Sequence, residues 1–137
     1  MSAGVVDSSI ALTWCFEDEA SADTDKLFER IRDVGAVVPG LWHLELGNIL
    51  LQAERRGRIT RTDVVLRLGL IANLPISVDV ETTPRAWREI LSLARAEGLT
   101  AYDAAYLELA ERCGLPLMTR DNALADAARR RGVTVFP

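Results

Sequence analysis

The sequence predicts one α/β domain of three layers, an approximately five-stranded, mainly parallel sheet flanked by helices. Helical stretches alternate with short apolar runs along the whole 137-residue chain. The runs are almost entirely apolar, as expected of strands covered on both faces. Glycine repeatedly separates a helix from the strand that follows it.

The first strand is Ala3 to Val6, ending at Asp7, and a short helix follows from about Ser9 to Cys15. A second helix runs from about Ala20 to Asp33, with Leu27, Phe28, Ile31 and Val34 along one side. Ala36 to Val38 forms the second strand, closed by Pro39-Gly40. The next helix, from about His43 to Arg55, places Leu46, Ile49, Leu50 and Ala53 at the spacing of a core-facing stripe. Gly57 stops it. Thr60 and Asp63 have capping-box-like spacing and open a helix to about Ala72. Pro75 to Val80 is the third strand. Thr83-Pro84 pairs an N-cap with proline at the first helical position. That helix is expected to turn Trp87, Ile90, Leu91 and Ala94 inward and to stop at Gly98. Thr100 opens another helix, which stops at Gly114. Leu115 to Thr119 is the fourth strand, a last helix spans about Asn122 to Arg131, and Val133 to Phe136 is the fifth strand.

Composition narrows the function classes. Hydrophobic residues are 49% and charged residues 26%, ordinary for a globular domain, which excludes disorder and a disulfide miniprotein. No apolar run reaches membrane-spanning length, and no secretory signal is visible, so the expected location is the cytoplasm. The net charge of -4 excludes a strongly cationic nucleic-acid coat, but not an enzyme with an acidic metal site. Lys26 is the only lysine among sixteen cations; arginine suits phosphate through its planar fork. Cys15 and Cys113 fit no metal spacing and are read as reduced, packed thiols. There is no P-loop and no GxGxxG.

Ligands of open parallel sheets bind at the carboxyl ends of the strands. Asp7 directly follows the first strand, and Asp121 comes two residues after the fourth. Glu45 and Asp103 lie in the first turns of two helices. Each acid also has a local reading: Asp7 and Asp121 as helix caps, Asp103 in a capping box with Thr100, and Glu45 as a favourable charge at a helix N-terminus. Gathered at one edge, four carboxylates repel unless a cation neutralises them, and oxygen ligands without histidine or thiolate select Mg²⁺ or Mn²⁺.

The stretch Val5-Val6-Asp7-Ser8-Ser9-Ile10-Ala11-Leu12 resembles the opening motif of PIN-domain ribonucleases. Pro39 to Leu50 (PGLWHLELGNIL) is similar to their second motif, with Glu45 and Asn48. Leu99 to Leu107 (LTAYDAAYL) resembles the third, around Asp103, and Leu117 to Leu124 (LMTRDNAL) the fourth, with Thr119 and Asp121. Order and spacing match across essentially the whole chain, and the wording looks most like VapC-type toxins of toxin–antitoxin pairs. Leu124 departs from the aromatic residue common there.

The resemblance implies one PIN-like nuclease domain over residues 1–137 and a divalent-metal-dependent endoribonuclease using Mg²⁺ or Mn²⁺. Asp7, Glu45, Asp103 and Asp121 take the places of the acidic, metal-binding residues. Ser8 and Thr119 take supporting hydroxyl positions, and Asn48, one turn beyond Glu45, is placed to orient that carboxylate or a metal-bound water, or to be a buried amide satisfied by backbone. Metal-activated water would cleave the phosphodiester, leaving a 5′-phosphate and a 3′-hydroxyl. His43 is read as a surface or packed residue, and Asp126 as a solvated acid.

Arg55, Arg56, Arg58 and Arg61, or Arg129 to Arg131, are candidates to track RNA phosphates, with contact to a partner protein as the other reading of the first group. For the second group, helix C-terminal electrostatics is the simpler reading. Trp14, Phe16 and Trp42 are core residues by default; exposed, they would line a groove for an antitoxin segment. The resemblance also implies a homodimer. A phosphate-signalling receiver or aspartyl phosphatase fits poorly, because Ser9 stands where a second aspartate is needed and Lys26 is not late in the sheet. A non-catalytic RNA- or protein-binding module on the same fold is the remaining alternative.

Overall fold

The computed structural model describes residues 2–137. Its strands are β1 (Val5–Val6), β2 (Ala36–Val38), β3 (Ile76–Val78), β4 (Leu117–Met118) and β5 (Val135–Phe136). The helices are α1 (Ser8–Thr13), α2 (Ala22–Val34), α3 (Trp42–Arg55), α4 (Arg61–Ala72), α5 (Thr82–Arg85), α6 (Leu91–Glu97), α7 (Ala101–Cys113) and α8 (Asn122–Arg130). A 3₁₀ turn covers Glu17–Glu19, and a π turn, Ala86–Ile90, joins α5 to α6.

The five strands form one sheet in the order β3-β2-β1-β4-β5, with every pair parallel. Val5 of β1 registers with Val37 on one side and Leu117 on the other. The chain first builds outward from β1 through β2 to β3. It then crosses back over α5 to α7 and continues on the far side of β1. The reversal lies between β1 and β4, the place where open sheets of this kind leave a crevice at their carboxyl ends.

The strands are shorter than the apolar runs suggest, but pairing extends past their ends: Ala3 N–H donates to Gly35 O at 2.7 Å, and Thr119 N–H to Phe136 O at 2.9 Å. Gly4 allows β1 to lie against β4. Its φ is +155°, and a Cβ there would fall 2.6 Å from Pro116 O.

Val5, Val6, Val38, Leu117 and Met118 are buried between helices. α7 is the most enclosed helix, with Ala104 to Ala110 all buried. Thr60 and Thr100 cap α4 and α7 as their spacing predicts, and Gly98 and Gly114 close α6 and α7 in the left-handed conformation.

Several expectations need correction. Trp87 is 89% exposed rather than inward. The π turn shifts the helical phase, so Ile90 and Ala94 stay buried while Trp87 swings out of the stripe. Val34 is exposed at the end of α2. Cys113 is exposed, whereas Cys15 is buried. Trp42 is core; Trp14 donates its indole N–H to Thr24 O at 3.0 Å and meets Phe28 edge to face. No described helix is long and apolar enough to cross a membrane.

Candidate active site

Asp7 leaves β1 in an extended conformation and caps α1, its Oδ1 accepting from Ile10 N–H at 3.2 Å. The Ser9 hydroxyl donates to the same oxygen at 2.6 Å, and the Thr119 hydroxyl donates to Oδ2. The two hydroxyls accept in turn from the loop after β4. Arg120 N–H reaches Ser9 Oγ at 2.8 Å, and Asp121 N–H reaches Thr119 Oγ1 at 3.0 Å. With each hydroxyl hydrogen on Asp7, the 3.4 Å between Ser9 Oγ and Thr119 Oγ1 is a contact rather than a third bond. Asp7 is thus locked from both sides of the crevice while only 5% exposed.

Asp121 caps α8, its Oδ1 accepting from Leu124 N–H at 2.9 Å. Glu45 is half-buried in the first turn of α3, and its Oε1 accepts from the Tyr106 hydroxyl of α7. Asp103 lies in the first turn of α7, where its backbone N–H donates to Thr100 Oγ1 at 3.1 Å. Its carboxylate makes no hydrogen bond among the described residues. Helix capping therefore accounts for Asp7 and Asp121, but not for Glu45 or Asp103.

The electrostatics join the four. Burial pushes the Asp7 carboxyl above the ordinary range against its hydroxyl donors, with the Asp103 charge adding to the rise. Burial also raises Glu45 despite the Tyr106 bond, helped by Asp103 and Asp7. Asp103 is raised by burial and by Asp121. Tyr106 is held well above the ordinary phenol range by burial and then by its bond to Glu45. Like charges that feel one another in a partly desolvated place are the setting in which a cation is favourable.

The donor chemistry fits a hard divalent ion: oxygens only, with Glu45 Oε2, Asp121 Oδ2 and both Asp103 oxygens free of protein donors among the described residues. Those residues do not, as they stand, bring three acidic, histidine or cysteine side chains close enough to share one ion. Five surface clefts of 330 to 520 Å³ are lined by other residues. The acids are electrostatic neighbours on an open edge, not a preformed ligand cage.

Ser8 and Asn48 stand differently from expectation. Ser8 makes no hydrogen bond to Asp7; the next residue, Ser9, does so because the turn at the start of α1 returns its side chain to the cap. Asn48 is exposed, neither a buried amide nor bonded to Glu45; Tyr106 is the group that holds Glu45. A signal for Tyr106 existed in the sequence. It stands one helical turn from Asp103 in a run of alanine and leucine, where a buried hydroxyl needs a partner. His43 is exposed and meets Trp42 edge to face, and among the described residues Asp126 pairs only with Arg129, at 3.6 Å. Arg58 lies over Phe16 and pairs with Asp18 and Glu19, while Arg130 and Arg131 pair with Glu97.

Comparison with known proteins agrees with this architecture. Ribonuclease VapC3 of Pyrobaculum aerophilum is 27% identical over 122 residues, spanning 89% of this chain and 92% of that protein. The crystal structure of PAE2754 from the same organism has a TM-score of 0.72 at 26% identity, over 98% of this chain and 92% of that one. VapC20 of Mycobacterium tuberculosis shares the fold with a TM-score of 0.62 at 15% identity, over 90% and 93%. The PIN domain description matches residues 4–130. With acids at the carboxyl edge of a five-stranded parallel sheet and a match over nearly its whole length, this chain belongs to the PIN domain family.

Proposed function

We propose that the chain is a divalent-metal-dependent endoribonuclease and the toxin member of a toxin–antitoxin pair. The observation that carries this reading is the clustering at one sheet edge in which Asp103 acts on both Asp7 and Glu45, and Asp121 on Asp103, with Glu45 and Asp103 having no capping role. The similarity to Ribonuclease VapC3 supports the reaction class. The same coupling favours catalysis over a non-catalytic module, in which Glu45 and Asp103 would be half-buried charges without a task.

In this reading Asp7, Glu45, Asp103 and Asp121 hold Mg²⁺ or Mn²⁺, which when bound supplies an activated water and neutralises phosphate charge. Ser9 and Thr119 keep Asp7 fixed, so its orientation does not have to be found at each turnover. The free oxygen of Glu45 and the unbonded carboxylate of Asp103 are the acceptors left for a proton or a cation. Arg120, exposed beside this edge with its guanidinium also donating to Glu19 O at 3.3 Å, would meet an RNA phosphate in this reading.

Trp14, Phe16, Phe28 and Leu70 line a 420 Å³ cleft edged by both acids and arginines (Glu17, Asp25, Glu29, Arg32 and Arg67), which suits an apolar antitoxin segment with a charged border. A cytoplasmic homodimer belongs to the same reading; association would cover apolar side chains such as Leu44 and Leu66, now exposed.

The test is RNA cleavage by the purified chain with Mg²⁺ or Mn²⁺, beside Asp103→Ala. Loss of cleavage in a variant with unchanged circular dichroism is the expected result, with a drop of at least about 100-fold, the scale of removing a group that stabilises transition-state charge. Full cleavage by the folded variant, or undiminished cleavage in excess chelator, would defeat the proposal.

A further inference from the structure

Tyr106 is 1% exposed, in the middle of the wholly buried stretch of α7. Its ring belongs to the core, yet its hydroxyl reaches 61 positions back along the chain to Glu45 Oε1 on α3. Asp103 lies one turn earlier on the same helix, so α7 carries one acid directly and grips a second through the phenol. Among the described residues, that phenol is the only hydrogen-bond donor to the Glu45 side chain. A glutamate has three rotatable bonds, and a half-buried one with no partner samples several orientations.

We infer that Tyr106 is a positioning residue: by occupying Oε1 of Glu45, its hydroxyl fixes that carboxylate so that Oε2 is presented to a divalent cation. The inference rests on the metal-dependent reading above. Orienting partners of metal ligands commonly change affinity by about 10- to 100-fold when removed. The effect acts through Glu45, so it vanishes where Glu45 can no longer bind.

The experiment is calorimetric titration of Mn²⁺ into the wild-type chain, Tyr106→Phe, Glu45→Gln and the double variant, with melting of each metal-free protein. Tyr106→Phe keeps the ring and is expected to weaken Mn²⁺ binding by about 10-fold. In cleavage, kcat falls while KM for RNA holds. The double variant is expected to bind no more weakly than Glu45→Gln alone. Glu45→Asp gives a second route that leaves the core intact: it keeps the charge but withdraws it from the hydroxyl, and a similar weakening is expected. Wild-type affinity in Tyr106→Phe or Glu45→Asp overturns the inference and leaves the metal reading standing, as does an additive loss in the double variant. Failure of the wild-type chain to bind Mn²⁺ overturns both.

Discussion

Replacing Thr119 by valine is the sharpest test of how Asp7 is held. Thr119 is 3% exposed, and valine has nearly its shape, so what changes is the hydroxyl. That hydroxyl donates to Asp7 Oδ2 and accepts from Asp121 N–H at 3.0 Å. A hydrogen bond to a charged acceptor contributes about 1.5–3 kcal/mol, and a donor left unpaired near the surface adds up to about 1 kcal/mol. The expected loss is therefore about 3 kcal/mol, which for a chain of this size lowers Tm by about 10 °C. Thr119→Ser keeps the oxygen and gives up one methyl, at a cost of about 1 kcal/mol. Urea unfolding at pH 8 without divalent cations should rank the wild type first, serine second and valine last. Valine equal to or above serine would show that the hydroxyl does not stabilise Asp7 and would refute the clamp.

Other outcomes follow from features elsewhere. Asp79 pairs with Arg112 at 2.6 Å; burial alone would raise its carboxyl, but the Arg112 and Thr82 hydrogen bonds hold it below the ordinary 3.8. Its folded pKa is depressed, so its stabilisation is present above pH 3.8 and is lost as pH falls through the lower folded value. Asp79→Asn should flatten that part of the acid limb, seen in urea midpoints between pH 5 and pH 2 (a range set by roughly one to two units either side of an ordinary carboxylate). An identical limb would discount the pair. Gly4→Ala should cost on the order of 3 kcal/mol by melting, because both φ and the approach of Pro116 O exclude a Cβ. Trp87→Ala should change stability by no more than about 0.5 kcal/mol, its ring being exposed; a larger loss would place the ring in the core after all.

The layer plan was legible because it depends on local signals. Helix ends at Thr60, Thr100, Gly98 and Gly114 are set by cap chemistry within a few residues, and the strands by compact apolar runs. The π turn was not legible, since the stripe from Trp87 to Ala94 reads as a regular helix and only packing in three dimensions selects the wider turn. At the site, the four acids could be placed at one edge from the strand–helix order alone. Their supporting groups could not. Choosing Ser9 over Ser8 depends on the dihedral angles of one helical turn, and Tyr106 over Asn48 on how α7 lies against α3, a contact that no spacing within one segment encodes.

The pairing of β1 with β4 has a consequence for biosynthesis. Asp7 emerges from the ribosome early, but the hydroxyl that completes its setting lies 112 residues later. Closing so long a loop is entropically costly and slow beside local helix formation. A nascent or truncated chain lacking Leu117 to Asp121 therefore carries Asp7, Glu45 and Asp103 without this clamp, which closes only once Thr119 has been made.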